Sequence, residues 1–257
     1  MTDTFAEPRR LSLFARVFII LLVIIALLGL VNLALYGLKA LDRPARPGTG
    51  QLLYASTFDA YNEEWSQFQG QMSSQIEDGS LKIAINASRD GAFSVLNHDF
   101  SDFDVRINAT RLAAPDDYNE LGVLFRYHDP ANYYMFKIRG DGYYRVERRK
   151  EGQTDILSEW HASPAILIGV NRVNQLRVVG RGSSFQFYVN DQPLILCPAG
   201  PQKLKSTWNG DQCLSNNKQT STRLLDESFD FGKIGVGVRA DVPGVQVAFD
   251  DVLVYGP

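Results

Sequence analysis

The chain has 257 residues, with 26 Lys and Arg against 29 Asp and Glu and a formal net charge of −3. That balance argues against the basic surface that nucleic-acid-binding proteins present, so no nucleic-acid partner is expected. Two cysteines, and three histidines without ligand spacing (His98, His128 and His161), argue against a redox or metal site built from clustered thiols or imidazoles.

The strongest local signal is an uncharged apolar run near the N-terminus, Val17 to Leu38, which reads "VFIILLVIIALLGLVNLALYGL". At roughly 1.5 Å per residue the run makes about 33 Å of helix, enough to cross the hydrocarbon core of a bilayer. The alternative, a cleaved signal peptide, usually has an apolar region of about 7–15 residues. We therefore predict a retained transmembrane signal anchor over residues 17–38, after a short cytoplasmic tail over residues 1–16.

The segment after the helix predicts a linker over residues 39–50, because "LDRPARPGTG" is rich in Pro and Gly and has no apolar period. Basic residues are nearly balanced on the two sides of the helix, so the positive-inside rule does not settle its orientation. The short tail and two cysteines that suit an oxidising compartment break the tie. We expect a single-pass membrane protein whose C-terminal domain is extracytoplasmic.

From residue 51 onward, apolar and polar residues alternate with the period of two that β-strands have, and turn signals such as "EDGS", "RGDG" and "VPG" separate the runs. This pattern favours an all-β domain over residues 51–257, a two-sheet antiparallel jelly-roll sandwich preceded by one transmembrane α-helix. The predicted strands are 52–58, 64–69, 72–77, 80–86, 92–97, 102–111, 119–128, 133–139, 143–149, 154–159, 174–181, 184–190, 193–196, 233–239 and 244–255.

An insertion over residues 197–228 interrupts this pattern. Loops of this length are usually functional or disordered, which makes the insertion a candidate contact for a protein partner. Cys197 and Cys213 lie in polar surroundings within it, so we predict a disulfide between them, with two free buried thiols as the alternative. Trp208 lies between the cysteines and is either an exposed ligand contact or part of a small hydrophobic cluster.

The stretch 121–149, "LGVLFRYHDPANYYMFKIRGDGYYRVERR", contains two hairpin turns, "DPAN" and "GDG". Pairing His128 with Tyr133, and Arg139 with Tyr143, gives one consistent register for three strands. One face is then the core: Val123, Phe125, Tyr127, Tyr134, Phe136, Ile138, Tyr144 and Val146. The other face carries Leu124, Met135, Arg139 and the residues that we predict for ligand binding: Arg126, His128, Tyr133, Lys137, Tyr143, Arg145 and Glu147.

Two interpretations of that second face stay open. Lys137 lies opposite Arg145, and like charges across a ladder destabilise a sheet. The face is either a solvated surface on which carboxylates such as Glu147 compensate the charge, or a groove in which basic side chains donate to ligand oxygens and tyrosines stack. In the second case the ligand is a neutral or acidic glycan, or an acidic polymer such as a protein segment.

Catalysis is not expected, because the chain has no ExDxE, ExDxxE or GxSxG pattern, and a retaining glycosidase needs two carboxylates about 5–5.5 Å apart. A calcium site at Asp59, Asp250 and Asp251 is conceivable if the first and last strands are neighbours, since their oxygens then converge. Solvated carboxylates at strand ends are the alternative. No other cofactor is expected.

Three blocks in order, "LGVLFRYHDPANYYMFKI", "VNQLRVVGRGSSFQFYVNDQPL" and "FGKIGVGVRA…VQVAFDDVLVY", resemble the concanavalin A-like lectin/glucanase superfamily. Within it the chain is similar to laminin-G-like and 3-keto-disaccharide-hydrolase (DUF1080) domains. The resemblance covers about residues 52–257 apart from the insertion. It implies a jelly roll of two curved sheets, carbohydrate binding on the concave sheet, and a place for Arg126 on that sheet.

These observations predict a membrane-anchored, extracytoplasmic, non-catalytic carbohydrate-binding module. The first alternative is a structural or accessory subunit of a membrane or cell-envelope complex, with contacts through the helix at 17–38 and the loop at 197–228. The second alternative is a glycoside or 3-keto-disaccharide hydrolase. Fold does not separate the three, because one fold carries many functions.

Overall fold

A computed structural model describes residues 13–41, 43–60, 62–200 and 206–257. The chain divides into two compact units, Met1–Arg43 and Pro44–Pro257. Helix α1, Leu13–Leu41, contains the predicted span, and its window Val17–Ala34 has a mean hydropathy of 3.1 with none of its side chains buried. The helix is long and apolar enough to cross a bilayer, a property that N-terminal signal sequences share. Most of the predicted tail lies outside the described residues.

The second unit is built from strands, as the period-two pattern predicts. Their bounds are β1 Leu52–Ser56, β2 Met72–Glu77, β3 Ser80–Ile85, β4 Asp90–Phe100, β5 Phe103–Ala113, β6 Glu120–Asp129, β7 Asn132–Arg139, β8 Tyr143–Lys150, β9 Gln153–Ala162, β10 Val173–Arg181, β11 Ser184–Val189, β12 Gln192–Pro193, β13 Trp208–Asn209, β14 Gln212–Cys213, β15 Leu224–Leu225, β16 Gly232–Ala240 and β17 Val245–Tyr255. The predicted strand at 64–69 is wrong, since only isolated bridges form there, at Trp65 and Phe68.

The strands form two large antiparallel sheets. A nine-stranded sheet has the order β12-β11-β10-β5-β17-β3-β2, with β1 also paired to β17 and β15 to β11. A six-stranded sheet has the order β4-β16-β6-β7-β8-β9. The inner faces of the two sheets enclose one core, in which Phe125 and Tyr134 of the six-stranded sheet contact Phe185 of the nine-stranded sheet. The predicted jelly-roll sandwich is confirmed.

The register predicted for the stretch 121–149 is confirmed for β7 and β8, where Lys137 lies opposite Arg145. For β6 the prediction is wrong. Phe125 pairs with Tyr134, and pairing resumes only at Asp129, so β6 contains a bulge at residues 126–128. Arg126 within the bulge has a φ of 51°. A bulge changes which face the following side chains occupy, and here it turns Arg126 into the core and Tyr127 out of it.

Arg126 is a fully buried core cation, with a side-chain exposure of 0 %. Its guanidinium donates to the carbonyl oxygens of Gly182 at 3.1 Å and Phe229 at 3.5 Å, and it lies 3.6 Å from a carboxylate oxygen of Asp102. Burial lowers the pKa of Arg126 to about 10, and the charge of Asp102 opposes that change. The predicted placement of Arg126 on the outer face is therefore wrong, and its role is to hold loops around the core.

Residues 44–50 of the predicted linker lie against the sandwich. Arg46 is 3.8 Å from Asp102, the Ala45 carbonyl accepts a 3.0 Å hydrogen bond from Ser101, and the Gly50 amide donates to Gly256 at 2.7 Å. Through Arg46, this segment reaches the same Asp102 that lies beside Arg126. This part of the linker belongs to the compact unit that begins at Pro44.

The insertion is folded onto the sandwich. The predicted disulfide between Cys197 and Cys213 is confirmed, with their Cα atoms 5.3 Å apart and both residues buried. Trp208 packs with the two cysteines as a small buried cluster and is only 7 % exposed, which favours the cluster over a ligand contact. Asp226 at the end of the insertion accepts hydrogen bonds from Tyr134 at 2.5 Å and Arg148 at 2.7 Å.

We expect Tyr134→Phe to lower the free energy of unfolding by about 2 kcal/mol, since it removes a buried hydrogen bond to a charged acceptor. Burial raises the pKa of Asp226, but hydrogen bonds from Tyr134 and Ser228 outweigh burial and leave that pKa lowered. Denaturant titration followed by fluorescence measures the change. Tyr118→Phe is the matched control, because its ring is 63 % exposed. Equal effects of the two substitutions would contradict the role of this hydrogen bond.

Candidate functional site

The outer face of the six-stranded sheet, which points away from the core, carries a chain of ion pairs. The ammonium of Lys137 lies 2.6 Å from Glu120 and 2.9 Å from Glu147, and this lysine is only 4 % exposed. Arg145 lies 2.8 Å from the same Glu147 and 3.4 Å from Glu159. Glu147 thus separates the two cations that the register places opposite each other. Carboxylates compensate the like charges, as the first interpretation predicts, but the ion pairs at Lys137 are buried and not solvated.

Beside the ion pairs, the outer face carries a small apolar layer. Tyr133 is 5 % exposed and packs edge-on against Phe93, with ring centres 5.4 Å apart, and stacks on Tyr127 at 5.9 Å. Leu124 and Met135 complete the cluster. Tyr133 lies on the predicted face, but its ring is used for packing. The predicted place of Tyr127 in the core is wrong, because the bulge sends it to this layer.

An aromatic platform, defined here as Tyr118, Tyr143 and Trp160 around Arg139, lies at one end of this face. The guanidinium carbon of Arg139 is 4.5 Å from the Trp160 ring centre, 5.2 Å from Tyr143 and 5.3 Å from Tyr118. Asp141 fixes the guanidinium through two contacts of 3.1 Å and 2.6 Å. Tyr118 and Tyr143 are 63 % and 36 % exposed, so the platform offers aromatic surface to a ligand.

Of the seven predicted ligand-binding residues, five lie on the outer face: Tyr133, Lys137, Tyr143, Arg145 and Glu147. Arg126 and His128 do not, because both follow the start of the bulge. His128 lies against the rings of Phe229 and Phe231, at 5.4 and 5.3 Å. Sequence reasoning placed Arg139 on the face but gave it no role, and it missed Tyr118 and Trp160.

The carboxylates considered for calcium lie near β1 and β17, which pair as that prediction assumed. Asp251 accepts a hydrogen bond from Asn108 at 2.8 Å, and Asp59 accepts one from Thr57 at 2.7 Å. Burial raises the pKa of Asp250, and the charges of Asp251 and Asp59 add to the rise. Within the described part of the chain, no three His, Cys, Asp or Glu side chains gather as metal ligands do. Calcium at this place stays a prediction.

His161 joins the outer strand β9 to the stapled hairpin of β13 and β14. Its ring stacks on Trp208 with centres 3.9 Å apart and planes 9° apart, and it meets Tyr144 edge-on at 5.9 Å. Burial lowers the pKa of His161, while the charge of Asp211 acts in the opposite direction. The lowered pKa favours the neutral imidazole, and the stacked ring serves as a packing surface.

The lowered pKa of His161 makes the stability of the fold depend on pH. We expect the melting temperature to fall as the pH is lowered from 7.5 to 5.0. A folded-state pKa below the unfolded value means that the unfolded chain binds the proton first. The stabilisation is present above the unfolded pKa of about 6.5 and is lost as the pH falls through it toward the folded pKa. Calorimetry at both pH values measures the effect. His161→Asn should reduce the pH dependence, and His98→Asn, at an exposed site, should keep it. The reverse pattern would show that His161 is not the source of the pH dependence.

Comparisons with known proteins establish the fold. No protein-family model matches the sequence, and no curated protein sequence matches it. Similar solved structures include the carbohydrate-binding module CBM66 from Bacillus subtilis, with 16 % identity and a TM-score of 0.52 over 75 % of this chain and 95 % of that one. A β-glucanase from Bacillus licheniformis has 10 % identity and a TM-score of 0.52 over 82 % and 100 % of the two chains. The Emp46p carbohydrate recognition domain has 9 % identity and a TM-score of 0.51 over 79 % and 96 %.

At these identities the likeness shows the fold alone, and it confirms the predicted concanavalin A-like β-sandwich. A structure described as having a galectin-like fold, from Bacillus subtilis, matches with a TM-score of 0.53 and 11 % identity. The narrower resemblance to laminin-G-like and DUF1080 domains stays a prediction.

Proposed function

We propose that the chain is a membrane-anchored, extracytoplasmic, non-catalytic module that binds an uncharged glycan on the outer face of its six-stranded sheet. The observation that carries this proposal is the aromatic platform. Three aromatic rings from separate segments converge on Arg139, and two of them are substantially exposed. Such clusters of partly exposed aromatic and Arg side chains are typical of binding hot spots.

The platform suits sugar rings. Tyr and Trp present an apolar ring face with a polar group at the edge, which matches a ligand that has both C–H and hydroxyl surfaces. Arg139 and Asp141 add a donor and an acceptor held in fixed positions beside the rings. A few well-placed polar groups next to aromatic surface are the usual composition of a small-molecule site.

The charges favour an uncharged glycan over an acidic polymer. Lys137 contacts two carboxylates, and Arg145 also contacts two, one of which it shares with Lys137. Arg139 is held by Asp141. An anionic ligand would have to displace these acids, and the buried Lys137 is out of reach. The basic residues that suggested an acidic ligand are thus already neutralised.

The proposed location rests on two features. Helix α1 is long and apolar enough to cross a bilayer, and the disulfide between Cys197 and Cys213 suits an oxidising compartment. Together they support an anchor at the N-terminal helix and a domain outside the cytoplasm. Protease digestion of sealed membrane vesicles tests this. The domain should be cut in vesicles whose extracytoplasmic side faces out and should stay intact in vesicles whose cytoplasmic side faces out.

A second candidate, hydrolysis, has one specific observation in its favour. Glu120 and Glu147 contact the same ammonium of Lys137, so their contacting oxygens lie no farther apart than the roughly 5.5 Å that suits a retaining glycosidase. That mechanism requires one carboxyl to donate a proton to the leaving group, whereas Lys137 already occupies both carboxyl groups in ion pairs. We expect no release of reducing sugar from neutral glucans; release that Glu120→Gln abolishes would establish the hydrolase instead.

A glycan array probed with the full chain in detergent tests the proposed function. Uncharged oligosaccharides should bind, and binding should be equal at 150 and 500 mM NaCl, because salt screens charge and leaves stacking intact. Selection of acidic polymers with loss of binding at high salt would overturn the proposal. Absence of glycan binding, with recovery of a stable protein partner from native membranes, would establish the accessory-subunit alternative.

A further inference from the structure

A groove of about 550 Å³ lies on the other side of β9 from the aromatic platform. It is enclosed by the end of β9, by the segment around β12, and by the stapled hairpin of β13 and β14. Its size falls within the range of roughly 300–1,000 Å³ that is usual for ligand sites. Its lining includes His161, Ser163, Gln192, Pro193, Ile195 and Asp211.

The wall of the groove is held rigidly. The His161 ring lies on Trp208 at 3.9 Å, and Trp208 is buried with the disulfide. Tyr144 donates a hydrogen bond to the carbonyl oxygen of Ile195, which fixes the opposite wall. Because these groups are positioned before any ligand arrives, a ligand would pay little ordering entropy to use them.

The chemistry of the lining defines the ligand class. Among the residues that the structure describes, Asp211 is the one acidic residue that lines the groove and no Lys or Arg lines it, which disfavours an anionic ligand. Ser163, Gln192 and Asp211 supply hydrogen-bonding groups of both kinds. Pro193 and Ile195 are exposed, Ile195 by 50 %, and provide apolar surface. Hydroxyl groups on an apolar ring skeleton, as in a neutral sugar, match this combination.

The groove and the proposed glycan site both involve strand β9. Trp160 and His161 are consecutive residues of β9, the edge strand of the six-stranded sheet. Trp160 lies beside Arg139 and Arg145 on the outer face, whereas His161 meets Tyr144, whose side chain belongs to the core side. The two places are thus separated by the single edge strand β9, close enough for one oligosaccharide to contact both.

We propose that this groove is a second subsite that binds further sugar units of the same uncharged glycan. The inference rests on the proposed function, since it extends the ligand bound at the platform. It predicts that affinity depends on chain length, because units in the groove add contacts to a ligand already held nearby.

Isothermal titration of the full chain in detergent, with uncharged glucan oligosaccharides of two to eight units, tests this proposal. For wild type we expect the longer members to bind about tenfold more tightly than the shortest. The double variant Asp211→Ala, Gln192→Ala should lose that gain and keep the wild-type affinity for the shortest members. Both positions are exposed, so the variant should fold, and Gln212→Ala on the same hairpin is the matched control.

The outcomes separate the two proposals. If the double variant binds long oligosaccharides as wild type does, the second subsite is wrong and the platform proposal stands. If wild type shows no gain with length while Trp160→Ala still weakens binding, the subsite is wrong and the platform proposal stands. If no uncharged oligosaccharide binds to wild type, the proposed function fails and the subsite fails with it.

Discussion

Replacing Trp160 by Ala is expected to weaken binding of an uncharged oligosaccharide by about 30-fold, the effect of removing a hot-spot side chain that contributes about 2 kcal/mol. Trp160 is the ring nearest to the Arg139 guanidinium, at 4.5 Å, and it also lies 5.3 Å from Arg145. Its loss removes the stacking surface and frees the guanidinium of Arg139 from its fixed orientation. Isothermal titration of wild type and variant measures the change.

A matched control lies on the opposite sheet. Tyr188 also has a guanidinium over its ring, that of Arg177 at 4.7 Å, but it belongs to β11 of the nine-stranded sheet. Tyr188→Ala should leave glycan affinity unchanged. Equal losses in the two variants would mean that stability, not the platform, controls binding, and an unchanged affinity in Trp160→Ala would remove the platform from the site.

The second large effect concerns stability. We expect Lys137→Met to lower the free energy of unfolding by about 3 kcal/mol, because it removes the buried cation that Glu120 and Glu147 share. Glu120 and Glu147 would then face each other on the sheet without the ammonium between them. Denaturant titration measures the loss. Adding Glu147→Leu to the variant should recover part of it, because the double substitution removes one of the two carboxylates that face each other.

Lys82 supplies the control for this prediction. Its ammonium also contacts two carboxylates, Asp78 at 2.7 Å and Glu77 at 3.5 Å, but Asp78 is highly exposed. Exposed ion pairs contribute little to stability, so Lys82→Met should leave the unfolding midpoint nearly unchanged. If Lys137→Met also left the unfolding midpoint unchanged, the ion pairs would not stabilise the fold. Lys137 would then again be a candidate ligand contact.

Much of the fold could be predicted because its signals are local. The period-two alternation placed most strands, and the turn sequence around Gly140 and Gly142 set the register of β7 and β8. The cysteines could be paired because both lie in one short polar stretch. These features depend on neighbours in the sequence, where propensity and turn chemistry decide the outcome.

The site could not be predicted to the same degree, because tertiary contacts decide it. At the bulge, the guanidinium of Arg126 contacts Gly182, Phe229 and Asp102, which are distant from it in the sequence. Trp160 reaches the platform because the pairing of β8 with β9 shifts its register twice, so period-two counting loses track of its face. Neither event has a local signal, and together they changed which residues the outer face presents.

The most direct test of the account is an NMR titration of the tryptophan indole N–H signals in the full chain with an uncharged trisaccharide that the glycan array selects. The chain has three tryptophans, Trp65, Trp160 and Trp208, and Trp65 and Trp208 are buried in separate clusters. The account predicts a saturable shift of the Trp160 signal alone. A trisaccharide that binds while the Trp160 signal stays in place would contradict it.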